Sequence, residues 1–165
     1  MNVVKRDGRE EEFDNEKIHE VLFWATHDIK GVTVSDIEIK VAPQFHDRIT
    51  SEEIHQILIQ GCADMITERT PNYQYVAANL LNYLLRKQVF GVSDNLPSLF
   101  EVISQNIKAD NYDKIILEDY TEAEIKRLDN AIKHKRDYDL VYAGLQQLID
   151  KYLLKDRSTG KVHET

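Results

Sequence analysis

Cysteine is almost absent from this sequence of 165 residues, and this and other absences exclude several kinds of protein. The single cysteine, Cys62, can form neither an internal disulfide nor a zinc site built from several cysteines. No run of about 18 apolar residues occurs, so we expect no membrane-spanning helix. The opening segment, Met1–Asp7, lacks the apolar core of a secretory signal peptide. Together these features predict a cytoplasmic protein.

The chain also lacks an excess of positive charge and the glycine-rich loops that commonly bind phosphate. The chain has 21 Lys and Arg against 29 Asp and Glu, which gives a formal net charge of −8. Because proteins that bind nucleic acid usually present a basic face to the phosphates, this balance predicts no nucleic-acid partner. Neither GxxxxGK[ST] nor GxGxxG occurs, so any bound phosphate must be held without these glycine loops.

The first part of the chain predicts a hairpin followed by a helix. Asp7-Gly8 supplies the positive-φ turn between Val3 and Phe13, which lie near the two ends of the hairpin. Asp14 is a predicted N-cap, and the helix that it opens ends before Gly31. The apolar positions of this helix share one face, at Ile18, Val21, Leu22 and Ala25.

Three more helices are predicted before residue 92. Ser35 is expected to cap a short helix that ends at Pro43, since proline removes a backbone donor. Ser51 with the acids that follow it is a start signal for the third helix. Pro71 is expected at the first position of the fourth helix, which ends near Gly91. We therefore predict a four-helix unit capped by a small hairpin, over residues 1–92.

Residues 93–165 are predicted to form a second, mainly helical region after a short polar junction. An amphipathic helix is expected near residues 99–107, another starting at Thr121, and a third around residues 139–154. The fold class is thus mainly α, with no repeats or low-complexity tracts.

Polar side chains suited to phosphates are scattered over the first region. Ser51 adds a hydroxyl and the free amides of a helix start, which favour anions. Each residue alone is typical of a solvated surface, so spacing leaves open whether this small helical domain has an anion pocket. The candidate cations are Lys5, Arg6, Lys17, His55 and Lys87.

Several segments resemble the ATP-cone of class I ribonucleotide reductase large subunits. Residues 3–8 and 13–18 resemble the opening of the cone, and residues 49–55 its second motif. Residues 71–78 and 85–91 resemble its fourth-helix motif.

The resemblance continues beyond the cone, at residues 111–113, 117–124 and 151–154, and is greatest to enterobacterial and T-even-type phage enzymes. It implies an allosteric region that binds ATP or dATP, with Mg²⁺, and a helical segment that in the family leads into a ten-stranded barrel. The implied partners are the remainder of the large subunit, the radical-generating small subunit and further copies in a homo-oligomer.

The resemblance also implies roles for individual residues. Val3 would offer backbone contacts near the adenine, while Glu11, Asp14 and Lys17 would lie near the base or ribose. Asp14 replaces an Asn that is common in the family, Ser51 replaces a Thr, and Leu84 stands where some relatives have a further polar ligand. The residues that would face the phosphates are Lys5, Arg6, Ser51, His55 and Lys87.

The family's catalytic cysteines, radical-relay tyrosines and specificity site all correspond to positions beyond Thr165. The resemblance therefore implies an enzyme only as part of the holoenzyme, with no catalytic residue and no metal site in this segment. Cys62 is predicted to be a buried structural thiol, and Tyr73, Tyr75 and Tyr142 to be packing residues.

Alternatives remain open at this stage. The chain is either a fragment or one piece of a split phage large subunit. A cone-bearing transcriptional repressor should carry a zinc ribbon of paired cysteines, which one cysteine cannot supply. A structural relic that no longer binds nucleotide is the remaining rival, and Leu84 is the residue that favours it.

Overall fold

The computed structural model describes residues 1–156 and 158–165 and is mainly helical. Three short strands belong to the first region: β1 (Asn2–Val4), β2 (Glu10–Glu12) and β3 (Ile49–Thr50). Its four helices are α1 (Asn15–Thr26), α2 (Val34–Val41), α3 (Ser51–Asp64) and α4 (Tyr73–Phe90). The later helices are α5 (Leu99–Lys108), α6 (Ile115–Asp119), α7 (Glu122–Ala131) and α8 (Tyr142–Lys151). Two 3-10 segments, Ala42–Gln44 and His134–Asp139, complete the helices and strands of the described residues.

The predicted hairpin is confirmed, and the structure adds a third strand to it. β1 and β2 pair antiparallel with Val3 opposite Glu11, and Gly8 takes a φ of 83° in the turn. On its other side β1 pairs in parallel with β3, where Val3 lies opposite Ile49. No sequence pattern predicts β3, because two residues are too few to show an alternating pattern. β1 is therefore the central strand.

Two helix starts lie one or two residues earlier than predicted. Thr33, rather than Ser35, caps α2 by accepting a hydrogen bond from the amide of Asp36. Thr50, rather than Ser51, caps α3 in a capping box with Glu53. The physical reason is the same in both cases: a capping residue has extended backbone, as both threonines do, whereas the serines are already helical.

The predicted cap Asp14 is confirmed, since its side chain accepts from the amide of Glu16. The prediction that Pro71 begins α4 is wrong, because Pro71 and Asn72 form a turn and the helix begins at Tyr73. At the other end, Gly91 is the left-handed C-cap with a φ of 75°, as predicted.

The core of the first region lies between α1, α2, α3 and α4. Gly61 allows α2 and α3 to approach closely, since a Cβ there would lie 2.5 Å from Cγ1 of Val41. Cys62 is fully buried, and burial raises the pKa of its thiol to about 12, which fits the predicted structural role. The prediction that Tyr73 packs in the core is also confirmed. Other fully buried side chains include Leu22, Ile37, Val76 and Leu80.

The second region is a looser arrangement around three buried apolar side chains, Ile103, Ile125 and Leu145. The helices predicted near residue 99 and after Thr121 are confirmed. The third is shorter than residues 139–154, because 134–139 form a 3-10 segment and α8 runs only from Tyr142 to Lys151. α8 packs along α4, and so connects the two regions. Among the described residues no helix is both long and apolar enough to cross a membrane.

Candidate functional site

A cavity of about 300 Å³ lies where the hairpin meets α1 and α3. The predicted elements explain its position: the hairpin crosses the end of the helix bundle, and the starts of α1 and α3 face it. Seven of the nine predicted site residues line this cavity: Val3, Lys5, Glu11, Asp14, Lys17, Ser51 and His55.

A carboxylate held by two lysines forms the polar side of the cavity. Oε1 of Glu11 accepts from the ammonium of Lys5 at 2.7 Å and from that of Lys17 at 2.9 Å. These lysines lower the pKa of Glu11 to about 2, and Glu11 in turn raises the pKa of Lys17. Glu11 and Lys17 are therefore charged at neutral pH.

His55 lies deeper, with its ring 5.2 Å from the ring of Tyr83. Its Nδ1 is buried and has no hydrogen-bond partner within the described chain. Burial, followed by the nearby charges of Arg6, Lys87 and Lys5, lowers the pKa of His55 to about 4. His55 is thus neutral near pH 7 in this structure, and its predicted role beside the phosphates stays a prediction. A neutral imidazole still offers one donor and one acceptor.

The other two predicted residues, Arg6 and Lys87, do not line the cavity. Arg6 lines an adjoining groove that shares Lys5 and Ser51 with it, and its Nη1 donates to the carbonyl oxygen of Lys87 at 2.6 Å. The ammonium of Lys87 lies 5.5 Å from the centre of the Tyr83 ring. Both cations therefore gather on the α3 and α4 side of the cavity.

The first turn of α3 borders both the cavity and the groove. Ser51 is its first residue and lines both spaces. The amide of Glu53 is not free for a ligand, because it donates to the side chain of Thr50. The positive end of the helix dipole still lies at the boundary that the two spaces share. This boundary can accept an anion with the help of Lys5.

Much of the remaining cavity lining is apolar, and the resemblance did not assign these side chains to the site. Tyr83 was missed altogether, although it lies four residues before Lys87 and so shares its helix face. The cavity thus combines apolar side chains with two lysines and the carboxylates of Glu11, Asp14 and Glu20. A flat base could pack on the apolar part, and an anionic tail would need the lysines. The apolar lining consists of Phe13, Ile18, Val21, Ile54, Leu58 and Tyr83.

Asp14 has a double position, since it lines the cavity and also caps α1 through the amide of Glu16. Leu84, by contrast, is buried in the core. Its apolar side chain cannot make the polar contact with a nucleotide that some relatives are expected to make from this position. No group of three or more His, Cys, Asp or Glu in residues 1–156 and 158–165 is placed to hold a metal ion.

Comparison with known proteins gives this geometry a context. The family model described as the ATP cone domain matches residues 1–88. The ribonucleoside-diphosphate reductase 1 subunit alpha of Salmonella typhimurium is 42% identical over 163 residues, which cover 99% of this chain and 21% of that protein. The Escherichia coli protein of the same name is 40% identical over the same length, and again 21% of it is covered.

A phage protein shows the same relationship. The ribonucleoside-diphosphate reductase subunit alpha of Enterobacteria phage T4 is 38% identical over 167 residues, with 100% of this chain and 22% of that protein covered. The chain therefore spans about a fifth of the length of the curated relatives that it matches. On its sequence match and its architecture, this chain belongs to the ATP cone domain family.

Proposed function

We propose that this chain is an allosteric nucleotide sensor, which binds ATP or dATP and regulates a ribonucleoside-diphosphate reductase that makes deoxyribonucleotides for DNA synthesis. The observation that carries this proposal is the cavity, which brings the paired lysines of Glu11 together with apolar side chains. The family and the relatives that it matches support the same function.

The mixed lining suggests how the nucleotide would lie. The base would pack against the apolar side near Val3 and Phe13, with Glu11 and Asp14 near the base or ribose. The phosphates would follow Lys5 and the start of α3 into the adjoining groove, where Arg6 lies. Charge-assisted hydrogen bonds from these cations would supply most of the phosphate affinity.

Mg²⁺ is expected to enter with the nucleotide. This ion keeps several waters and is usually bound through phosphate oxygens with one or two carboxylates. We therefore propose that phosphate oxygens and water, and not side chains of this chain, supply most of the ligands of Mg²⁺.

We further propose residues 1–92 as the sensing unit and residues 93–165 as the segment that connects it to the remainder of the large subunit. Large apolar side chains of this segment are exposed, including Ile115, Leu128 and Tyr152. The missing cover would be the rest of the large subunit, in an enzyme that also contains the small subunit and assembles as a homo-oligomer in the cytoplasm. Without that cover we expect concentration-dependent self-association, and a clean monomer in sedimentation over a wide concentration range would contradict this.

A structural relic is the second candidate, and two observations favour it. Glu11 already occupies both lysines of the cavity, and Leu84 is committed to the core. Such a relic would keep the fold but bind no nucleotide.

Calorimetric titration of the chain with ATP, dATP and AMP separates the two candidates. A sensor should bind ATP more tightly than AMP, because more phosphate oxygens meet the cations, and its affinity should fall with added salt. No binding of any nucleotide, or equal affinity for ATP and AMP, would favour the relic. Reduction of ribonucleotides is not expected in either case, because dithiol chemistry needs a second thiol beside Cys62.

A further inference from the structure

Arg86 is a buried cation of the first region whose charge is neutralised by the second. Only 5% of its side chain is exposed, although it lies near the end of α4. A buried charge without a partner is strongly unfavourable, so its partners must stay in place if the last turns of α4 are to keep this conformation.

The partners of Arg86 all come from residues beyond 92. Its Nη2 donates to Oδ2 of Asp137 at 2.7 Å, and its Nη1 donates to the hydroxyl of Tyr138 at 2.8 Å. Longer contacts of 3.4 Å reach the carbonyl oxygens of Ser93 and His134. The guanidinium also lies 5.2 Å from the centre of the Tyr138 ring. The 3-10 segment 134–139 therefore holds the end of α4 through one side chain.

The next residue of α4, Lys87, contacts two side chains that line the candidate site and its adjoining groove. The carbonyl of Lys87 accepts from Arg6, and its ammonium lies by Tyr83, which lines the cavity. Because Arg86 and Lys87 share one helical turn, a displacement of one backbone position displaces the other.

An aromatic contact joins the same two places by a second route. Trp24 of α1 lies 5.7 Å from the ring of Tyr83 and, edge-on, 5.8 Å from the ring of Tyr138. The segment that neutralises Arg86 thus also packs, through Trp24, against a side chain of the cavity wall.

We propose that Arg86, held by Asp137 and Tyr138, is a positioning residue for the nucleotide site and couples nucleotide binding to the order of the segment 134–139. This inference rests on the proposed function, since it needs a nucleotide in the cavity. Coupling of this kind is reciprocal: the segment fixes Lys87 and Tyr83 for the ligand, and the ligand in turn stabilises the segment.

The main test compares two neighbouring acids by calorimetry with ATP. In Asp137→Asn the shape of the side chain is kept while the partner charge of Arg86 is lost. The matched control is Asp139→Asn, since Asp139 is exposed and lies in the same 3-10 segment. Removing a negative charge should by itself favour an anionic ligand. A fall in ATP affinity in Asp137→Asn therefore reports on position and not on charge.

We expect Asp137→Asn to weaken ATP binding at least about fivefold, the lower end of usual coupling between sites. Asp139→Asn should bind as the parent does or slightly more tightly. Tyr138→Phe removes only a hydroxyl and should weaken binding by a smaller factor. It also provides a test if Asp137→Asn does not fold.

A measurement on the parent chain needs no substitution. ATP should slow amide hydrogen exchange in residues 134–139, which lie outside the cavity lining. Two results would overturn this inference while leaving the proposed function intact. One is a parent chain that binds ATP while Asp137→Asn and Tyr138→Phe match its affinity within twofold. The other is ATP binding that leaves amide exchange in residues 134–139 unchanged. If the parent binds no ATP, the proposed function fails and this inference fails with it.

Discussion

The two regions of this chain differ in how completely they bury their apolar side chains. In the first region the helices α1 to α4 enclose a continuous core, with Leu22, Ile37 and Leu80 wholly inaccessible. In the second, Ile103, Ile125 and Leu145 are the buried apolar side chains within the described residues, while Leu128 and Tyr152 are 57% and 70% exposed. The first region therefore has a core of its own, although Phe23 and Ile39 are 62% and 74% exposed and Arg86 takes its partners from the second region. The second region buries fewer apolar side chains.

The largest expected effect tests this difference directly. Leu22→Ala should lower the free energy of unfolding by roughly 2–5 kcal/mol, because it leaves a cavity in a close-packed core. Leu128→Ala, the same change in the second region, should shift it by less than about 0.5 kcal/mol, since that side chain is already in solvent. Urea denaturation followed by circular dichroism measures both. Equal losses would contradict the difference in burial between these two side chains.

A smaller effect tests the burial of one side chain in the first region through its pH dependence. His55 has a folded pKa of about 4, below its unfolded value of about 6.5, so the unfolded state binds more protons between these values. Stability should therefore fall as the pH is lowered from 6.5 towards 4, by on the order of 1–3 kcal/mol from this group. Urea denaturation at pH 7 and pH 5 would measure the loss.

The control for that experiment is a histidine on the surface of the same region. His55→Gln should reduce the loss of stability between pH 7 and pH 5, whereas His27→Gln should leave it unchanged, because the side chain of His27 is 65% exposed. A triphosphate beside the imidazole would raise its pKa again, so ATP binding near pH 5.5 should take up protons. If His27→Gln flattened the profile instead, burial of His55 would not be the cause.

The next effect in size is a loss of ATP affinity without a loss of folding stability. Lys5→Ala should cost about 1–3 kcal/mol of ATP affinity, the range for a charge-assisted hydrogen bond. The free energy of unfolding should barely change, since partly solvated ion pairs contribute little to it. Lys108→Ala at the end of α5 is the matched control, because Lys108 is exposed and lies in the second region. Calorimetry with ATP and AMP measures both variants, and equal effects would show that the cavity has no special role.

Much of the fold was predictable because it depends on local signals. The hairpin turn at Gly8, the cap at Asp14 and the left-handed end of α4 at Gly91 each need a residue type that few others replace. The strand β3 was not predictable, since its pairing with β1 depends on a residue 46 positions away, at Ile49 opposite Val3. Likewise the cap choice between Thr50 and Ser51 depends on backbone conformation and not on residue type.

The candidate site shows the same division. The resemblance named Lys5, Lys17 and Ser51, and the structure places all three around one cavity. It did not reveal that burial keeps His55 neutral, because a pKa depends on neighbours that only the folded chain brings together. Nor did it reveal Arg86, which in sequence is an ordinary charged residue at the end of a helix.

The smallest expected effect concerns the carboxylate that occupies both lysines of the cavity. Glu11→Gln removes the anion with which phosphates must compete for Lys5 and Lys17, so affinity for inorganic tripolyphosphate should rise several-fold. Affinity for adenosine should not rise, because a neutral ligand gains nothing from released cations. The second region offers a matched ion pair, Glu118 with Lys114 at 3.4 Å, which is solvated on α6. Glu118→Gln should leave tripolyphosphate binding unchanged in the same titration. If Glu11→Gln binds tripolyphosphate no better than the parent, the lysines are not the phosphate ligands, and the polar side of the cavity is then a solvated ion pair like the one on α6.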